Sequence, residues 1–125
     1  MKQKLTKLIY IASPYSGLTR FSIVNFFIRY FRYRQVTKVI GKLQDRYPYA
    51  FIAPITTSHQ TAKFMKTKTG AFRDWEGIDK TYISKCDEVW VIKMEGWDTS
   101  VGVQAEIKFA KKRKIPLYSI IPEEI

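Results

Sequence analysis

Between Glu88 and Lys93 the chain carries Val89, Trp90, Val91 and Ile92 as an apolar run with no alternation. A strand with one wet face alternates apolar and polar residues, whereas a strand covered on both faces does not. The run is therefore read as a parallel strand inside a sheet that has helices on both sides. The next segment agrees with this. Ser100 is a cap, and Val103, Ile107 and Ala110, with Phe109 beside them, form the stripe of a helix reaching Arg113.

The rest of the chain extends this to a coarse βαβαβαβ path. Leu8–Ala12 is the first strand, and residues 13–18 are its outgoing loop. Thr19 or Ser22 can cap a long amphipathic region running toward Tyr47. Its apolar side is Val24, Phe27, Ile28, Phe31, Val36, Val39, Ile40 and Leu43, and Gly41 argues against a single uninterrupted helix. The second strand is Ala50–Ala53, and Ala71–Cys86 is a helix with Ile78, Tyr82 and Ile83 inward. The third strand is Glu88–Lys93 and the fourth is Leu117–Ile121, with Pro116 at a strand start. The expected fold is one α/β domain over residues 1–125, a Rossmann-like three-layer sandwich. Its mainly parallel sheet has four or five strands in the order 2-1-3-4, which brings the loops after strands one and three together.

Composition sets bounds on function. With 46% hydrophobic and 15% aromatic residues, the chain is no disordered tail. A net charge of +11 attracts polyanions and small phosphorylated molecules alike. Cys86 is the sole cysteine, which excludes an intramolecular disulfide, and His59 is the sole histidine, so neither a zinc cluster nor a His-rich metal site is expected. The start, Met1–Lys7, is basic, but the apolar run behind it is only Leu8–Ala12. No signal peptide or membrane span is expected, and the location expected is cytoplasmic.

Two acids stand out against this frame. Glu106 sits three residues after Val103 and four before Ala110, so it shares the stripe of its helix. A glutamate there is either the wet edge of the stripe or a functional acid, because a buried carboxylate loses its hydration. Asp79 is three residues before Tyr82 and four before Ile83, again among apolar positions. An i,i+4 lysine partner is ruled out for it by Ile83 and Trp75. Both helices flank the Val89–Ile92 strand, so both acids can approach the crevice beyond the strand ends. Two acids around one cleft suit glycosidic-bond chemistry.

With these acids placed, the chain resembles a known superfamily. Asp79, Cys86-Asp87, the apolar strand, Ser100 to Glu106 and Ala110 look like the nucleoside 2-deoxyribosyltransferase-like superfamily, which includes deoxynucleoside monophosphate N-glycosidases. Ala12 to Ser16, Pro54, Ser58-His59, Trp75, Asp79, Cys86-Asp87, Gly96-Trp97, Ser100 to Val103 and Glu106 resemble more closely a small phage and bacterial family assigned to it. The resemblance covers residues 8–118. It implies that Glu106 is the nucleophile at the anomeric carbon and that Asp79 contacts the sugar and assists at the base. It also implies that Ser100 and the loop Ser13, Pro14, Tyr15 and Ser16 hold a 5′-phosphate. His59 is then expected to touch the phosphate or the base, and Trp97, Asp98 and Gly102 complete the expected substrate contacts. Gln104 stands where the superfamily has glycine, and the loop before Ser100 is longer, which leaves base preference and acceptor open.

The expected activity is cleavage of the N-glycosidic bond of a 2′-deoxynucleoside 5′-monophosphate, with base exchange between nucleosides as the alternative. No cofactor is expected. The loop Ser13–Gly17 is neither a dinucleotide fingerprint nor a P-loop, although its hydroxyls and N–H groups suit an anion. Residues 65–70 with Lys63, Lys66, Lys68 and Arg73 read as a cover for the site. The interleaved Phe26 to Arg34 segment supports a competing reading, a basic module that stacks single-stranded nucleic acid. At helical spacing Phe27 and Phe31 face one way while Arg29 and Arg32 turn elsewhere, which favours a homo-oligomer contact with a wet rim. Dimers in which a neighbour completes the site are common in the superfamily.

Overall fold

A computed structural model describes residues 5–15, 22–66 and 72–125. Its sheet has four parallel strands, β1 (Leu8–Ala12), β2 (Ala50–Ile52), β3 (Glu88–Ile92) and β4 (Leu117–Ile120), in the order β2-β1-β3-β4. Among the described residues four α-helices accompany them: α1 (Ser22–Arg46), α2 (Pro54–Thr61), α3 (Phe72–Lys85) and α4 (Val101–Lys112). The chain steps outward from β1 to β2, returns past β1 to β3, and then steps to β4. Right-handed crossovers on either side of such a reversal place their helices on opposite faces. The two apolar clusters show this division. Ile9, Ile11 and Ile92 pack with Val36, Val39 and Leu43 of α1 and Ile55 of α2. Tyr10, Ala12, Val89 and Val91 pack with Ile83 of α3 and Val103 and Ala110 of α4. This is the Rossmann-like α/β sandwich that the patterning predicts.

Several details differ from the sequence reading. The α1 helix runs without a break through Gly41, where an added Cβ would meet nothing. The glycine costs about 1 kcal/mol relative to alanine, and the anchors Val36, Val39 and Leu43 around it hold the helix on the sheet. The amino-terminal half of α1 is less covered: Val24, Phe27 and Phe31 are exposed and belong to no core cluster. In α3 only Ile83 of the expected inward trio is buried, while Ile78 and Tyr82 are exposed. Between the second strand and Ala71 the sequence reading assigns no helix, yet Pro54–Thr61 form the helix α2. Pro54 occupies its first turn, where the fixed φ of proline suits helix entry, and Ile55 alone anchors it in the core. Strands β2, β3 and β4 each end one residue earlier than expected. The proposed caps Thr19 and Ser22 cannot be compared. Thr19 lies outside the described residues, and the side chain of Ser22 is not described.

Candidate active site

The order reverses between β1 and β3, and beyond their carboxyl ends opens a cavity of about 690 Å³. The α4 helix places Glu106 in its wall. Ser100 starts that helix with its Oγ accepting from the Val103 N–H at 3.2 Å, which fixes the first turn and brings Gly102 and Glu106 to the cavity. Glu106 is 4% exposed. The α3 helix supplies Asp79 to the same cavity, near enough to Glu106 for each acid to perturb the other's ionisation. From β1, the Tyr10 hydroxyl donates to Glu106 Oε2 at 2.6 Å.

These three groups sit where charge is expensive. Burial pushes the Asp79 carboxyl up to about 6. Burial, and then the neighbouring Asp79, raises Glu106 well above the carboxylate range, although the Tyr10 hydroxyl opposes the rise. Tyr10 itself is raised by burial and by the two acids. Near neutral pH the pair therefore shares one proton and one negative charge. One oxygen of Asp79, Oδ1, is buried without a hydrogen-bond partner among the described residues, which is costly unless another group satisfies it.

The upper wall is cationic. Arg32 of α1 and Arg73 of α3 line the cavity, and burial lowers the Arg32 pKa. Gly96 makes room for Arg32: its φ is +92°, and a Cβ there would lie 2.6 Å from Arg32 Nη2. Arg29 lies 5.9 Å from the Tyr15 ring. Tyr15 lines the cavity with its hydroxyl 2.8 Å from His59 Nδ1, and the His59 ring stacks on Tyr33 at 4.4 Å. The arrangement offers an acid pair at the floor, an aromatic wall, and guanidinium groups placed for an anion.

The structure gathers most of the expected residues and moves some away. Ser13, Tyr15, Asp79, Ser100, Gly102 and Glu106 line one cavity. Ser16 lies outside the described residues, as does most of the proposed cover, residues 67–70. Pro14 is fully buried and does not line the cavity. His59 stands behind Tyr15 instead of lining the cavity. Trp97 packs on the apolar cluster under α4 with Lys93 Nζ over its ring at 5.1 Å, and Asp98 is exposed outside the cavity. The residues that sequence reasoning missed are Tyr10, Arg32 and Glu76. A tyrosine inside an otherwise aliphatic strand is a signal for the first, because its hydroxyl needs a buried partner. Arg32 was expected at a wet rim, and only the path of α1 over the sheet turns it inward. Among the described residues no group of three or more His, Cys, Asp or Glu is placed to hold a metal ion. Nor is any described helix long and apolar enough to cross a membrane.

Fold and cavity together define an α/β domain with a carboxylate pair at its switch point. Residues 7–120 match the family described as a domain of unknown function, DUF1937, and the chain belongs to that family. No curated protein matches the chain.

Proposed function

We propose that the cavity cleaves the N-glycosidic bond of a 2′-deoxynucleoside 5′-monophosphate. The observation that carries this reading is the buried pair of Glu106 and Asp79, held by Tyr10 at the floor of a cavity with a cationic wall. Transfer of the shared proton from Glu106 to Asp79 leaves Glu106 ionised and makes Asp79 an acid. A Glu106 oxygen then attacks C1′ as the bond to the base breaks. The electron pair of that bond goes to the base nitrogen, which takes the Asp79 proton. Water afterwards attacks C1′, giving its proton to Asp79, and the ester to Glu106 breaks. Free 2-deoxyribose 5-phosphate leaves, and the pair again holds one proton and one charge. Capture by a second base in place of water would give exchange, and adding free base to the assay separates the two outcomes.

The resemblance to the nucleoside 2-deoxyribosyltransferase-like superfamily supports this reading. Within it, Ser13, Ser100 and the guanidinium groups of Arg32 and Arg73 hold the 5′-phosphate, and Tyr15 covers the base. Comparing kcat/KM for a nucleoside and its 5′-monophosphate tests the phosphate site. The nucleotide should be favoured by about 10²-fold or more, and S100A should erode that advantage. Equal values, with no loss for the nucleotide in S100A, would remove the phosphate site from the account of this cavity. The exposed Phe26, Phe27 and Phe31 of α1, beside Ile23, form the contact of a homodimer in the same reading. Salt-sensitive DNA or RNA binding without turnover would instead favour the nucleic-acid module.

A further inference from the structure

Tyr15 belongs to the cavity wall, but the group that holds its ring there does not. The residue lies in the loop after β1, where neither a helix nor a sheet ladder fixes the backbone. Its hydroxyl is 2.8 Å from His59 Nδ1 on α2, and the two rings meet edge to face with centroids 5.8 Å apart. His59 is fixed in turn. Its ring stacks on Tyr33 of α1 with 14° between the planes, and the Tyr33 hydroxyl accepts from Gln60 Nε2 at 2.6 Å. Two helices thereby grip the imidazole, and the imidazole grips the loop.

Neither packing nor proton transfer explains a histidine at position 59. A phenylalanine would stack on Tyr33 as well, and a ring that does not line the cavity touches no substrate. Burial, then Lys63 and Arg29, lower the His59 pKa, so the imidazole is neutral at pH 7.5. A neutral imidazole has one N–H and one bare nitrogen. With the proton on Nε2, Nδ1 accepts from the Tyr15 hydroxyl. With the proton on Nδ1, both the hydroxyl hydrogen and Nε2 would be left for water to satisfy, so the first tautomer pairs more groups. We propose that His59 is a positioning residue: its Nδ1 accepts the Tyr15 hydroxyl and locks the Tyr15 ring as a fixed surface on which a planar base stacks. The stacking rests on the nucleotide reading of the cavity given above, whereas the lock is a property of the free protein. A ring held before the substrate arrives costs less to order on binding, so the lock acts on KM and leaves the chemistry of the acid pair alone.

Two measurements test this. The chain has one histidine, so untagged protein gives a single pair of imidazole nitrogen NMR signals, read at pH 7.5 without ligand. Wild type should show Nδ1 bare and Nε2 protonated, and Y15F should move the Nδ1 signal toward that of an unbonded nitrogen. A protonated Nδ1, or an Nδ1 signal that Y15F leaves in place, overturns the proposal. The second measurement is base release from a 2′-deoxynucleoside 5′-monophosphate. H59F keeps the stacked ring and drops the acceptor, so it should raise KM about three- to tenfold with kcat within about twofold, and Y15F should do the same. The Y15F/H59F double variant should be no worse than either single one, because both remove the same bond. Losses that multiply in the double variant, or a loss in kcat alone, overturn the lock. If wild type releases no base, the nucleotide reading fails, and the Nδ1 signal still decides the lock.

Discussion

Two glutamates in this fold are buried, Glu88 at 8% and Glu106 at 4% exposure, and they have opposite electrostatics. Glu88 opens β3 with Lys7 Nζ at 2.8 Å from one oxygen and the Trp90 indole N–H donating to the other at 2.8 Å. These donors, Lys7 first, hold its carboxyl below the usual range. Glu106 has a neutral hydroxyl on one oxygen and a second acid as its other neighbour, and its pKa rises. Burial of an acid is thus no mark of function by itself. Burial against another acid, in a cavity, is a cost that folding alone gives no reason to keep.

The largest expected effect on this contrast is kinetic. D79N, which keeps the shape and removes the proton carrier, should lower kcat for base release by about 10² to 10³-fold, while E88Q stays within about threefold of wild type. Comparable losses in both variants would erase the distinction between the acid pair and Glu88. Y10F comes next. Without the hydroxyl on Oε2 the Glu106 carboxylate loses a stabilising donor, so kcat should fall about tenfold and the acidic limb of the pH–rate profile should move upward. A profile that keeps its limb would make Tyr10 a packing residue only.

Smaller, and independent of any substrate, is the effect on stability. The folded-state pKa values of Asp79 and Glu106 lie above their unfolded values, so the native state binds protons more tightly. Their contribution is fully favourable below about pH 4; the Asp79 part is lost as pH rises through about 6, and the Glu106 part is lost as pH rises through its own raised pKa. Glu88 has the opposite sign, and its contribution is lost as pH falls through its depressed pKa. Urea unfolding should therefore show E106Q more stable than wild type at pH 7.5 by about 1 to 3 kcal/mol, with the gap closing toward pH 4. E88Q should be slightly less stable at pH 7.5, with that gap closing in acid. An E106Q variant that is less stable than wild type at pH 7.5 would place Glu106 with Glu88.

The layers and the strand order were legible in the sequence because Leu8–Ala12 and Val89–Ile92 carry the signature of strands covered on both faces, and βαβ chirality leaves few arrangements. Glu106 was legible because Val103 and Ala110 fix its helical face. What escaped depended on tertiary paths. Arg32 and the exposed Phe31 are neighbours on α1, and their different surroundings follow from how that helix crosses the sheet. The helix that carries His59 escaped the sequence reading because a proline after a strand fits a loop and the first turn of a helix alike. The hydrogen bond from Tyr10 to Glu106 joins residues far apart in sequence, and only the position of α4 over β1 brings them together.

The most direct test of Glu106 as nucleophile is chromatographic detection of free base after incubating folded wild type, E106Q and E88Q with a panel of 2′-deoxynucleoside 5′-monophosphates. Wild type and E88Q should release base from at least one of them at similar rates, and E106Q should lose about 10³-fold or more. Release by E106Q at the wild-type rate, or no release by wild type across the panel, would contradict the assignment.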